Sequence, residues 1–125
     1  MKRSVAGIAI EDNKIFIAKR KAGGALSEKW EFPGGKVEED ESDENALLRE
    51  FKEELGVEII VGDLLGQTEF EHKGLNTVYA YYISFKEFAN FKLTEHTEWR
   101  WACLEEIKQL DFVDSDRKLF PYLQR

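Results

Sequence analysis

The sequence predicts an α/β (α+β) chain in which strands surround one principal helix, and three observations carry that prediction. Glu44 to Leu55 contains no Gly or Pro and is rich in Ala, Leu, Glu, Lys and Arg, the residues that enter a helix at least cost. On either side lie short apolar runs rich in β-branched and aromatic residues, closed by turn residues. The 125 residues, 42% of them hydrophobic, are enough for one domain with a real core and leave no room for a second domain. One domain over residues 1–125 is expected.

In chain order, Ser4–Ile10 and Lys14–Ala18 read as strands joined at Glu11-Asp12-Asn13, where Asp12-Asn13 suits a tight hairpin turn. Lys19-Arg20-Lys21 closes the second strand, and Ala22 to Lys29 reads as a flexible loop around Gly23-Gly24. In Trp30-Glu31-Phe32-Pro33-Gly34, Trp30 reads as core. Phe32 reads either as core or as a ring on which a base could stack. Ser42 is placed to cap the helix, and Gly56 stands where its end needs a left-handed residue. Leu47, Leu48, Phe51 and Leu55 then share one arc of the helix, and Glu50, Glu53 and Glu54 share another.

After the helix, Val57–Val61 and Leu64–Phe70 suggest strand with a break at Gly62-Asp63, and His72-Lys73-Gly74 a turn. Asn76–Phe85 is a strand bulky enough to be buried on both faces, and Lys86–Phe91 a loop. Thr94–Leu104 reads as a polar turn and a short aromatic strand. A short helix over Glu105–Gln109 and a terminal one over Ser115–Leu123, limited by Pro121, complete the chain.

Composition removes several classes of function. A net charge of −7 disfavours a nonspecific nucleic-acid binder, which needs a basic surface. No apolar run approaches a membrane span, and the first residues lack a signal peptide's apolar region. Cys103 has no second cysteine to pair with, which fits a reducing compartment and a cytoplasmic location. It reads as a small core residue, with no His beside it in sequence to activate a thiol. His72 and His96 read as surface or hydrogen-bonded histidines rather than metal ligands.

Chemistry concentrates on the helix. Three carboxylates on one side repel one another, and a divalent cation offsets that repulsion; hard oxygen ligands suit Mg²⁺ or Mn²⁺. A solvated acidic face is the competing reading. The residues alone therefore stop at a candidate cation site. Gly35, then Glu41, then Arg49-Glu50-Phe51-Lys52-Glu53-Glu54-Leu55-Gly56-Val57 closely resembles the Nudix box, of the form Gly-x5-Glu-x7-Arg-Glu-U-x-Glu-Glu-x-Gly-U with U a bulky apolar residue. Every fixed position is met.

That resemblance implies a Nudix fold, an α/β/α sandwich on a mixed sheet. It also implies a metal-dependent pyrophosphohydrolase that cleaves nucleoside triphosphates, cytosine or modified ones among them, to monophosphate and pyrophosphate. Glu50, Glu53 and Glu54, the Gly34 carbonyl and Glu95 would hold one to three Mg²⁺ ions, with Mn²⁺ a substitute. Glu98 competes with Glu95 for the loop position, and the general base is Glu50 or Glu95. Glu41 and Arg49, with Gly35, would hold helix and loop together. In MutT-like members the arginine matching Arg20 contacts substrate, and the Phe32 strand lies near it.

Leu110 to Asp116 resembles their nucleobase-reading segment, with Asp116 where members specific for 8-oxoguanine have Asn. An ionised Asp only accepts hydrogen bonds, unless burial keeps it protonated. Asp116 could equally cap the last helix. Glu95-His96 and the Asp116 segment resemble the CTP pyrophosphohydrolase branch more closely. Two other readings stay open: an ADP-ribose or other nucleoside diphosphate-X pyrophosphatase, and a non-catalytic nucleotide-binding domain. A monomer is favoured, with a homodimer the alternative.

Overall fold

β1 (Lys2–Glu11) and β2 (Lys14–Arg20) meet in the expected hairpin, paired at Ile10–Ile15 and Glu11–Lys14. Asp12 and Asn13 turn it with φ of 52° and 63°, a doubly left-handed geometry that short polar side chains tolerate. Beyond that end the strands part. β1 runs parallel to β6 (Leu75–Phe85) and takes β4 (Gly34–Lys36) on its other side. β2 pairs instead with β3 (Trp30–Glu31) and β7 (His96–Ala102). β5 (Ile59–Glu71) joins β6 and completes a mixed sheet of seven strands. The computed structural model describes residues 2–86 and 90–124, so the expected Lys86–Phe91 loop lies partly outside the described residues.

Strand alternation splits the apolar residues into two cores. Ala6, Ile8, Ile15 and Ile17 face a cluster with Phe32, Ile107, Phe112, Leu119 and Phe120. Val5, Ala9 and Phe16 face the opposite cluster with Leu47, Phe51 and Leu55. Helix α1 (Asp43–Leu55) therefore covers one face of the sheet. The short helices α2 (Leu104–Ile107) and α4 (Phe120–Leu123) cover the other. This is the α/β/α arrangement on a mixed sheet. β6 serves both cores, with Val78 and Ala80 on one side and Tyr79, Tyr81 and Ile83 on the other.

α1 has the expected ends. Ser42 Oγ accepts from the Asn45 N–H at 3.0 Å, and Gly56 closes the helix at φ 67°. Its buried arc is shifted from the expected one. Leu48 is exposed, whereas Ala46 is fully buried and Glu50 and Glu54 are half-buried. The helix is rolled so that two of its glutamates, rather than Leu48, turn inward.

Two other boundaries differ. Gly62-Asp63 does not break a strand; β5 passes through with register shifts between Val61 and Gly66. The terminal helix is two short ones, α3 (Asp114–Arg117) and α4. Pro121, which has no N–H to give a preceding turn, opens the second.

Candidate active site

The parting of β1 from β2 is bridged by the segment leading into α1. Glu31 pairs with Ala18 on β2, and three residues later Gly34 pairs with Ala6 on β1. Gly35 then passes directly beneath the helix. A Cβ there would lie 2.5 Å from Glu50 Cδ, so any larger residue would push this carboxylate from its place. Arg49 locks the other side. Its Nε and Nη2 donate to the two Glu41 oxygens at 2.8 and 2.9 Å, Nη1 donates to Glu50 at 2.7 Å, and Nη2 also reaches the Lys36 carbonyl. With Arg49 beside it, the Glu41 carboxyl falls to about 2. Arg49→Lys cannot reproduce this fork. It is expected to cost about 1–2 kcal/mol, read as a lower thermal midpoint, because two charge-assisted hydrogen bonds are lost. An unchanged midpoint would remove Arg49 as the tie between helix and loop.

The loop before β7 is fastened to the C-terminal end of α1. The Lys92 N–H donates to the Leu55 carbonyl, the Thr94 N–H to that of Glu54, and Thr94 Oγ1 to that of Glu53. These satisfy carbonyls that a helix end leaves open. They also deliver His96, whose side chain is fully buried, to the glutamates. His96 Nε2 lies 2.7 Å from Glu31 Oε2 and 3.9 Å from Glu54 Oε1. Arg20 Nη1 donates to both Glu31 oxygens at 3.2–3.3 Å. Glu54 Oε1 is buried without a hydrogen-bond partner. Burial, then the neighbouring Glu50 and Glu31, push the Glu54 carboxyl up to about 10.

Glu53 stands apart, mostly exposed and 3.4 Å from Arg49. Helix residues Glu50 and Glu54 thus come together with Gly35, Glu41 and Arg49, while Glu95 does not join them. Its carboxylate is exposed and ion-paired with Lys21 at 3.5 Å. Glu98 is likewise on the surface, beside Arg100. Glu31 and His96 are the residues that sequence reasoning passed over. A lone acid between Trp30 and Phe32 was the available signal, since a charge inside an apolar run is buried only when paired. His96 carries no comparable signal; the hydrogen-bonded histidine expected there is found, but inside the site rather than on the surface.

One expectation is overturned. Phe32 is 2% exposed, with its ring against Phe112 and Phe120, so it offers no face to a base. What it does is donate its N–H to Asp116 Oδ2 at 3.0 Å. Asp116 therefore caps no helix; it lies within α3, buried, and ties α3 to the segment before α1. Burial, then the charge of Glu31, push its carboxyl up to about 8. A separate cavity of about 430 Å³, lined by Ile10, Ile15, Cys103, Leu104 and Leu123, contains none of these residues.

This donor set fits a divalent cation. Clustered carboxylate oxygens, one of them orphaned and too buried to hold its charge alone, are what such an ion stabilises. Among the described residues no helix is long and apolar enough to cross a membrane.

Comparison with known proteins gives the family and the fold. The family model of the NUDIX domain matches residues 1–123. A CTP pyrophosphohydrolase of Escherichia coli (strain K12) is 37% identical over 114 residues, covering 90% of this chain and 83% of that protein. An 8-oxo-dGTP diphosphatase of the same strain is 41% identical over 122 residues, covering 98% and 95%. Among solved structures, the E. coli ORF135 protein superposes with a TM-score of 0.86 at 35% identity, covering 98% of this chain and 87% of that one. The MutT protein of Methanosarcina mazei Go1 gives 0.81 at 31%, covering 98% and 91%.

Proposed function

Given that this chain belongs to the NUDIX domain family and is a hydrolase of acid anhydrides, we propose that it cleaves nucleoside triphosphates to monophosphate and pyrophosphate with Mg²⁺. Mn²⁺ is the natural substitute, as a second hard cation that takes oxygen ligands. The observation that carries the reading is the inward turn of Glu50 and Glu54, with a glutamate oxygen buried and unpartnered. Glu50, Glu53, Glu54 and the Gly34 carbonyl would hold the metal, and Glu95 would join if substrate draws its loop in. The bound ion would neutralise phosphate oxygens and acidify water.

The chain's own residues do the rest. Arg49 holds Glu50 directly while anchored on Glu41 and the Lys36 carbonyl, which keeps that carboxylate in place. Glu50, fixed within the cluster, is the better placed general base; Glu95 is the alternative. Arg20, part-buried on Glu31, faces the same cluster and supplies positive charge to substrate.

Asp116 is the proposed reader of the base. At neutral pH its raised pKa keeps most of it protonated, so one oxygen accepts from Phe32 while the carboxyl proton is free to be donated. Pyrophosphate release from CTP, dCTP, 5-substituted dCTPs, 8-oxo-dGTP and ADP-ribose tests both parts. Preference among the triphosphates is expected to change as pH passes about 8 in the wild type and to stay flat in Asp116→Asn. A pH-independent preference in the wild type removes Asp116 as the reader. Turnover confined to ADP-ribose, or nucleotide binding without turnover, overturns the substrate class or the activity.

A further inference from the structure

On the sheet side of α1 lies a triangle of donors that the box does not account for. Glu31 comes from β3, Glu54 from α1 and His96 from the start of β7, and one ligand atom of each lies within 4.8 Å of the others. We propose that Glu31, Glu54 and His96 form a site for a borderline divalent cation of the Zn²⁺ or Co²⁺ type, different in its ligands from Glu50 and Glu53 and sharing only Glu54 with them.

Geometry and donor chemistry both point this way. His96 Nε2 stands 2.7 Å from Glu31 Oε2 and 3.9 Å from Glu54 Oε1. Against the roughly 3.3 Å edge of a tetrahedron with bonds of about 2.0–2.1 Å, one spacing is about 0.6 Å short and the other about 0.6 Å long. The third lies within 4.8 Å, so side-chain shifts of about half an ångström to an ångström would close the site. Glu54 Oε1 has no hydrogen-bond partner, is shielded from water and faces the imidazole. A buried oxygen left in that state asks for a cation rather than for another acceptor.

Imidazole decides which cation. Mg²⁺ prefers oxygen donors and keeps its waters, whereas a nitrogen with two carboxylate oxygens suits Zn²⁺ and Co²⁺. Arg20 supplies the outer support, holding both Glu31 oxygens. One feature limits affinity. His96 Nδ1 has no hydrogen-bond partner, so the imidazole lacks the outer acceptor that usually strengthens such a ligand. Three protein ligands leave the fourth position open, as in sites that exchange their occupant. Since Glu54 is shared, an ion here would draw that carboxylate away from the box cations; this last consequence alone rests on the proposed hydrolase reading.

The test is a Co²⁺ titration of chelator-stripped protein followed by visible absorption, with Zn²⁺ affinity measured by calorimetry. Expected are the intense visible bands of low-coordinate Co²⁺, kept in Glu53→Gln and lost in both His96→Gln and Glu31→Gln. Zn²⁺ binding should weaken by about 100-fold or more in the last two, since loss of an outer-shell partner alone costs about 10–100-fold. Circular dichroism checks that each variant is folded, and Glu31→Gln serves if His96→Gln is not. Bands that survive both substitutions, bands lost in Glu53→Gln, or displacement by equimolar Mg²⁺ would each overturn the site. Pyrophosphate release with Mg²⁺ alone reports on the hydrolase reading separately.

Discussion

Glu54→Gln is expected to reduce pyrophosphate release by on the order of 10³-fold while leaving the metal-free protein at least as stable as the wild type. The loss follows from charge. A ligand that helps stabilise transferring phosphate oxygens is worth several kcal/mol, and each 1.36 kcal/mol is about tenfold in rate. The gain in stability follows from the proton. Without metal the folded Glu54 holds its proton up to about 10, whereas the unfolded chain releases it near the ordinary carboxylate value of 4.5.

Across that window the folded state binds more protons, so stability falls as pH rises and the penalty is complete above about 10. Gln is a neutral stand-in for the protonated acid and carries no such penalty. Asp116 contributes a slope of the same sign, but only up to about 8. Between those two values Glu54 dominates. Tyr81, whose phenol burial and Asp43 raise from 10 to about 12, adds a slope of the same sign only from the top of that interval upward. Thermal midpoints in chelator should therefore decline with pH through that upper interval in the wild type and stay level in Glu54→Gln. Glu53→Gln, at an exposed site whose carboxylate lies 3.4 Å from Arg49, should lose turnover without moving the midpoint. A Glu54→Gln protein that melts earlier in chelator, or turns over normally at saturating Mg²⁺, would remove Glu54 from this role.

How far these residues were legible in the sequence depends on the kind of information each required. Helix α1 and its two caps are local matters, and Ser42, Gly56 and the Leu47–Phe51–Leu55 stripe are readable from spacing. The hairpin at Asp12-Asn13 is legible for the same reason, since only a few residue types accept two left-handed positions. The Nudix box is a spacing pattern and was complete in the chain.

What escaped was set by packing between distant segments. Leu48 and Ala46 exchange places because the helix rolls its glutamates inward, which no wheel of α1 alone can show. Phe32 fits a stacking role by type, yet Phe112 and Phe120, some 80 residues later, fill the space around its ring. Glu31 and His96 are joined across 65 residues. Asp116 shows the same limit in its chemistry. Whether it donates or only accepts turns on burial and on the charge of Glu31, neither of which is a property of residues 110–116.

Gly34→Ala is expected to be the most damaging of the glycine-to-alanine substitutions for stability. A Cβ on Gly34 would sit 2.0 Å from the Val5 carbonyl oxygen and 2.9 Å from Ala6 Cα. Both are backbone atoms of β1, so no flexible side chain can yield. β4 would have to leave β1, breaking the register at Ser4–Lys36, Val5–Gly35 and Ala6–Gly34. Buried backbone groups left unpaired cost about 1–3 kcal/mol each, so a loss of about 3 kcal/mol or more is expected, or roughly 10 °C in the thermal midpoint.

Gly24 supplies the control. Its backbone is left-handed at φ 77°, yet nothing among the described residues lies within 4 Å of its Cβ position, so Gly24→Ala should cost only about 1 kcal/mol of backbone strain. Thermal melts of the two variants side by side test the argument, and equal losses would sink it. The difference bears on function because Gly35 follows Gly34 directly beneath Glu50. A displaced β4 withdraws the surface on which that carboxylate rests, and excess Mg²⁺ should not restore turnover to Gly34→Ala. Glycine at this position is required by the closeness of two strands, and the same closeness places the box helix over the segment that carries Glu31.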